Sequence, residues 1–259
     1  MGALTGKVAI VTGSNRGIGK GIALRLARDG AHVVLCARDL VLLVKTVKEI
    51  ESEGGSAQAI GLDLRLPETP GHLAAFAIEK YGRIDIVVNN AGATKRDDFL
   101  KLTDADWADG FALKFFAAVR LTRAAWPHLK ASAGSIVNIS GSGGRTPGAE
   151  FTIGGSVNAA MQSFTKAMAD AGIRDGVQVN VINPGTIRTD RYQKRLETFA
   201  KEKGIELAAA EQQFVAAGKV TRIGEPADIA ALVAFIVGPE GRFLQGSMID
   251  MDGGATKTL

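Results

Sequence analysis

The chain has 259 residues, 46% of them hydrophobic, with 32 glycines and seven prolines; the length suits one large α/β domain or two small ones, and the apolar share is enough for a real core. Lys and Arg total 31 against 27 Asp and Glu, a formal charge of +4, and no window forms a basic stripe, which argues against nucleic acid as a partner. No apolar run approaches the ~20 residues that a membrane span needs.

The N-terminus "MGALTGKVAIVTG" has no charged-then-apolar leader, and Gly6 stands where a myristoylation signal needs Ser or Thr. The first element is the apolar run "KVAIVT" (7–12). Gly13, Gly17 and Gly19 follow it and open a helical pattern in which Ile18, Ile22 and Leu26 recur every four residues. Glycines between a strand and a helix let the backbone approach a pyrophosphate, which the N–H groups of the helix start then bind. The second run, "HVVLCA" (32–37), holds the single cysteine, Cys36; it can form no internal disulfide, and a buried thiol in a reducing, cytoplasmic compartment is expected. Further runs are "AQAIGL" (57–62), "IDIVV" (84–88), "SIVNIS" (135–140), "VQVNVI" (177–182) and "SMIDM" (247–251). Helical patterns fill 39–53, 71–81, 104–130, 155–172 and 226–237 between them. Continuous rather than alternating apolar strands, each followed by a helix, predict a doubly wound parallel sheet covered on both faces. The alternation has no linker, so residues 1–259 are expected to form one nucleotide-binding domain. Only 186–219 interrupts it, a long, charged, helical segment expected to cover a ligand site. No metal-ligand motif is present, and His32, His72 and His128 read as surface residues.

"TGSNRGIG" resembles the glycine motif of the short-chain dehydrogenase/reductase family. The resemblance runs through "NNAG" (89–92), "GSIVNIS" (134–140), "NPGTIRT" (183–189), "RIGEPADIA" (222–230) and "IDMDGG" (249–254), in the family's order. It implies a Rossmann sheet of about seven strands and a nicotinamide cofactor. The implied cofactor contacts are Gly13, Ser14, Asn15, Arg16, Gly17, Ile18 and Gly19, then Asp63 and Leu64, Asn90, Ala91 and Gly92, Asn158, and Pro184, Gly185, Ile187 and Thr189. At the tip of the second strand, Ala37 stands where NAD-preferring members place an acid, and Arg38 follows. Arg16 and Arg38 can fork onto a 2′-phosphate, which favours NADP over NAD. Asp39 lies past the strand tip, in position to cap the next helix. The resemblance also implies a homotetramer or homodimer built on the helices that carry Phe115, Phe116 and Phe164 and on the C-terminal segment.

The family's usual chemistry, so implied, uses a Tyr that moves the proton, a Lys four residues later, a Ser thirteen residues earlier and an Asn on a neighbouring helix. Without gaps, the Tyr position here is Gly154, the Lys position Asn158, the Ser position Gly141 and the Asn position Lys114. Lys114 and Asn158 look like an exchange between neighbouring helices, and Ser140 and Ser142 flank the lost Ser. These four are the candidate catalytic residues. Arg145, Glu150 and Thr152 border the pocket, and Tyr192 on the insertion is an alternative donor. Arg188, Arg191, Lys194 and Arg195 form a basic run that would attract an anionic substrate or face solvent. Two readings stay open: an NADP-dependent oxidoreductase of a small-molecule carbonyl or alcohol with a non-standard proton path, or an NADP-binding protein without catalysis.

Overall fold

The computed structural model describes residues 2–258. Its strands are β1 (Val8–Thr12), β2 (His32–Ala37), β3 (Ser56–Gly61), β4 (Ile86–Asn89), β5 (Ser135–Ile139), β6 (Gln178–Pro184) and β7 (Met248–Met251), all parallel in the order β3-β2-β1-β4-β5-β6-β7. β1, β4, β5 and β6 are buried along their whole length, which is why they read as unbroken apolar runs. The chain winds outward from β1 to β3, then returns to place β4 on the other side of β1. The crevice at the carboxyl ends of β1 and β4 is therefore the switch point where such sheets hold ligands.

The helices are α1 (Gly17–Arg28), α2 (Leu40–Ser52), α3 (Thr69–Tyr81), α4 (Asp104–Phe111), α5 (Ala117–Ser132), α6 (Thr152–Asp175), α7 (Asp190–Lys203), α8 (Leu207–Gly218) and α9 (Pro226–Val237). Ile22, Leu26, Leu43, Ile229 and Val233 fill the core on one face of the sheet; Leu73, Leu121, Leu129 and Val179 belong to the core on the other. α3 begins two residues before its expected start because Pro70 sits in the first turn, where its missing N–H costs nothing. The pattern at 104–130 is not one α-helix: Ala112–Phe116 form a turn of π-helix between α4 and α5. The insertion folds as the α7–α8 hairpin around a small core of its own, with Tyr192, Leu196, Ala200 and Ala210 inside it. Among the described residues no helix is long and apolar enough to cross a membrane.

Two histidines depart from their expected surface placement. His32 opens β2 half-buried, stacked on Tyr81 with ring centroids 5.1 Å apart, and His128 is half-buried on α5; His72 is exposed. Cys36 is buried in β2, and desolvation pushes its thiol up to about 12, so it is an inert core residue.

Candidate functional site

The switch-point crevice is built from β1 outward. Thr12 ends the strand, and its Oγ1 accepts from the backbone N–H groups of Asn90 (2.9 Å) and Ala91 (3.0 Å). Asn90 Nδ2 donates to the Thr12 carbonyl at 2.9 Å, so the segment after β4 is clamped to the glycine loop. Gly13 and Gly17 take positive φ values of 66° and 55°, which turn the loop back over the strand end. A Cβ at Gly19 would overlap the Gly13 carbonyl and the Asn90 amide, so α1 packs this closely only as glycine. Ser14 is buried and its Oγ accepts from Cys36 N–H at 3.0 Å, tying the loop to β2. Arg16 is the N-cap residue of α1 and makes no side-chain cap, which leaves first-turn N–H groups for an anion. Ile18 packs against the core behind the loop, and Asn15 is half-buried in it. Thr189 lies across the loop: a Cβ on Gly17 would come 3.2 Å from its methyl group.

At the tip of β2, Asp39 accepts from Leu42 N–H at 3.0 Å and is committed to capping α2. Arg38 is 68% exposed and lies 3.9 Å from Asp63. Asp63 is held by Arg65, and Leu64 is buried beside it. Pro184 ends β6, Gly185 lies against Asp252 so closely that a Cβ would come 2.7 Å from that residue's Cα, and Ile187 is buried in the core.

The other half of the crevice centres on Lys114, which stands in the π-helical turn. Such a turn inserts one residue into the helix and re-aims the side chain. Lys114 Nζ donates to Asn158 Oδ1 at 2.6 Å and to the Ser140 carbonyl at 2.7 Å, which leaves one N–H free in the ammonium form. Desolvation lowers it to about 7, and the charge of Arg191 adds to the effect. Glycine surrounds this contact. A Cβ at Gly92 would come 2.9 Å from Lys114 Cδ, and one at Gly141 would come 2.8 Å from Asn158 Nδ2. Ser140 Oγ donates to the Asn158 carbonyl at 2.9 Å and is spent on structure. Ser142 is half-buried, and among the described residues its hydroxyl has no partner.

The space beside Gly154 is filled rather than open. The Phe151 ring lies directly on the Gly154 Cα, and a Cβ at Gly143 would come 2.9 Å from the same ring. The Arg96 guanidinium stacks on that ring, 3.9 Å from its centroid. Arg145 crosses to Asp250 at 2.6 Å and ties the loop to β7 rather than facing the crevice. Tyr192 is 3% exposed inside the α7–α8 hairpin, next to Arg188 and Glu211, and is removed from the list of donors. Arg188 forks onto Glu211 at 2.8 and 2.6 Å and reaches Glu225 at 2.8 Å, so it clamps the hairpin. Arg191, Lys194 and Arg195 instead line a groove of about 360 Å³ with Thr198, Phe199 and Glu202. Arg96 carried no motif that would have singled it out in the sequence; Phe151 falls where a shifted Tyr-x6-Lys pattern would start, but it has no ionisable group.

A doubly wound sheet with a glycine loop and an uncapped helix start at its switch point defines a Rossmann-type α/β protein. The short chain dehydrogenase family model matches residues 7–199, and the chain belongs to that family. It is 37% identical over 255 residues to an uncharacterised oxidoreductase of Mycobacterium tuberculosis, covering 98% of this chain and 93% of that one. It is 31% identical to a diacetyl reductase, (S)-acetoin forming, of Staphylococcus epidermidis, over 96% of this chain and 98% of the relative. The solved structure of L-sorbose reductase from Gluconobacter frateurii, complexed with NADPH and L-sorbose, matches with a TM-score of 0.95 at 31% identity, over 100% of this chain and 99% of that one.

The Phe151–Gly154 contact yields a prediction whose sign is informative. Helix propensity alone makes Gly→Ala stabilising by up to ~1 kcal/mol. Overpacking against the ring reverses this, so Gly154→Ala is expected to destabilise by about 1–3 kcal/mol. In a Phe151→Ala background the same change becomes stabilising. Urea unfolding of the four proteins in this cycle reads the coupling; additive effects contradict the packing argument.

Proposed function

We propose that the chain is an NADP(H)-dependent oxidoreductase interconverting a carbonyl and an alcohol on a small molecule, with Lys114 as the group that moves the proton. The observation that carries this reading is the seating of Lys114, held 2.6 Å from Asn158 Oδ1 at the switch-point crevice with one N–H unspent. The cofactor end fits the group that the family implies. The uncapped α1 start would hold a pyrophosphate, Asn90 holds the loop that shapes it, and Thr189 lies over Gly17. Arg16 and Arg38 are exposed at the ribose end with no acid at Ala37 to repel a 2′-phosphate. The L-sorbose reductase neighbour is complexed with NADPH, which supports the same choice. Bound there, a nicotinamide supplies hydride for reduction or accepts it for oxidation.

In reduction, Lys114 gives a proton to the oxygen of the developing alkoxide and is left as a neutral amine. The burial that lowers its ammonium to about 7 stabilises that amine, so the group works in both directions near neutral pH. Ser142 holds the carbonyl oxygen with its free hydroxyl. Asn158 positions Lys114 and does not itself titrate. In this reading 1–259 acts as one domain, and the α7–α8 hairpin covers the crevice. The chain also assembles as a homodimer or homotetramer, supported by the exposure of Phe116 (43%) and Phe243 (102%) on helix and C-terminal surfaces.

Three outcomes are expected. NADPH binds at least about tenfold more tightly than NADH, because each charged hydrogen bond to the 2′-phosphate contributes ~1.5–3 kcal/mol, and Arg38→Asp removes the preference. Fluorescence titration measures this; equal affinities in the parent contradict it. Ketone reduction needs Lys114 protonated, so kcat/KM falls as pH rises through about 7. Lys114→Ala is expected to lower kcat by ~10²–10⁴-fold and erase that limb while NADPH still binds. A parent that binds NADPH but turns over no ketone or alcohol at any pH is a binding module instead, the reading favoured by the Phe151 ring seated on Gly154. Finally, light scattering at micromolar concentration is expected to give a dimer or tetramer mass, and a monomer contradicts the assembly.

A further inference from the structure

Four cations on two separate elements lie beside the crevice, none of them in a salt bridge among the described residues. Elsewhere the chain neutralises such groups: Lys95 pairs with Asp106, and Arg188 pairs with Glu211 and Glu225. Among the described residues, Arg96, Arg191, Lys194 and Arg195 pair with no carboxylate. Two of them are seated on aromatic rings. Arg96 stacks on Phe151 at 3.9 Å, and Arg195 lies 5.7 Å from the Phe214 ring centroid. Aromatic faces hold a guanidinium in place but leave its five N–H groups available. Arg191 Nη2 lies 3.5 Å from the Gly92 carbonyl, and Gly92 is the residue against which the Lys114 stem packs. The cationic groove therefore opens next to the proposed proton donor.

These charges feel one another. Burial, then Arg195 and Arg191, hold Arg96 below the usual guanidinium range, against the opposing charge of Glu150. Glu202 is the carboxylate within the groove that Arg191, Lys194 and Arg195 line. Arg191, Lys194 and Arg195 lie on one exposed face of α7, and Arg96, from the loop after β4, stands close enough to feel Arg195 and Arg191, so a loop and a helix add to one positive potential that favours an anion. Guanidiniums presenting forks from two directions match the geometry of an oxyanion.

We infer that the substrate carries a carboxylate or another oxyanion on the far side of its carbonyl, received by Arg96, Arg191 and Arg195 while the carbonyl oxygen faces Lys114 and Ser142. This rests on the oxidoreductase reading above and names the substrate class for it. The arrangement has a mechanistic consequence. Arg191 is one of the charges that depress Lys114, so an anion seated on Arg191 offsets it and lets Lys114 keep its proton at higher pH. The substrate's own charge thereby readies the donor for reduction.

The test uses matched ketones that differ only in a terminal group, a free carboxylate or phosphonate against its neutral methyl ester, over a series of short linkers. Binding to the full chain, with and without NADPH, is followed by calorimetry. At least one acid is expected to bind about tenfold or more tightly than its ester, the gap that one or two charged hydrogen bonds produce. Arg191→Gln and Arg195→Gln should each shrink the gap, and together close it, while NADPH affinity changes less than about twofold. The pH limb of kcat should lie higher for the acid than for its ester. The inference is overturned if no acid outbinds its ester or if the gap survives both substitutions. It is equally overturned if NADPH affinity falls by the same factor, which assigns these cations to the cofactor. The two readings fail separately. Charge-selective binding without turnover sinks the reductase assignment alone, and turnover of neutral ketones without charge selectivity sinks the anion assignment alone.

Discussion

The contact between Lys114 and Asn158 exists only because of what surrounding residues lack. A long side chain must cross from the π-helical turn to α6 and pass Gly92 on the way, where a Cβ would come 2.9 Å from its Cδ. Its partner amide lies where a Cβ on Gly141 would come within 2.8 Å of Nδ2. The π-turn supplies the remaining adjustment by shifting the register of the helix at Lys114. A side chain at either glycine would force the lysine stem or the amide to shift. The glycines of this half of the site are thus space reserved for two particular side chains, as those of the cofactor half are space reserved for a backbone turn.

The electrostatics follow from that geometry. A desolvated charge is costly unless it is paired or can neutralise itself. The chain pairs its charges where structure is the purpose. Burial raises the Asp85 carboxyl, but hydrogen bonds from Arg83, Val8 N–H and Lys7 outweigh it, and the group ends below its ordinary range. Arg188 is driven upward by two glutamates. Lys114 receives only neutral acceptors, the Ser140 carbonyl and the Asn158 amide, and a cation at Arg191 in place of an acid. The result is a lysine that titrates near neutrality.

Much of this was legible in the chain. "HVVLCA" is β2 from end to end and 226–237 is α9, because continuous apolar runs and a Pro start leave little freedom. Asp39 reads as a cap from its place after the strand tip, and it caps α2. The π-turn at Ala112–Phe116 was not legible: its apolar residues fit an α-helix equally well, and the turn shows only in the folded chain, where it lies against α6 and Gly92. Nor was the seat of Phe151. Reading position by position shows a glycine at 154 but not which neighbour moves into the space, since that depends on a ring folding back from the residue before the helix. Arg96 escaped for a related reason, because its partner in space is 55 positions away. Tyr192 failed in the opposite direction. It looked free on a charged insertion, yet the hairpin needed an interior and took the aromatic residue for it.

The groups on this side of the crevice are physically interlocked: the Phe151 ring fills the space beside Gly154, and the amide of Asn158, buried at 3% exposure, holds Lys114. Beyond it Gln162 donates to Asn183 at 2.9 Å, Asn183 to Asp250 at 2.8 Å, and Arg145 reaches Asp250 from the loop that carries Ser142. That chain of bonds runs from α6 through β6 to β7 and back to the 140–151 loop. Every member has a partner, which ties the loop to the sheet. Lys114 itself is held by one side-chain amide and one backbone carbonyl, and the network that ties the neighbouring loop to the sheet lies beside that contact.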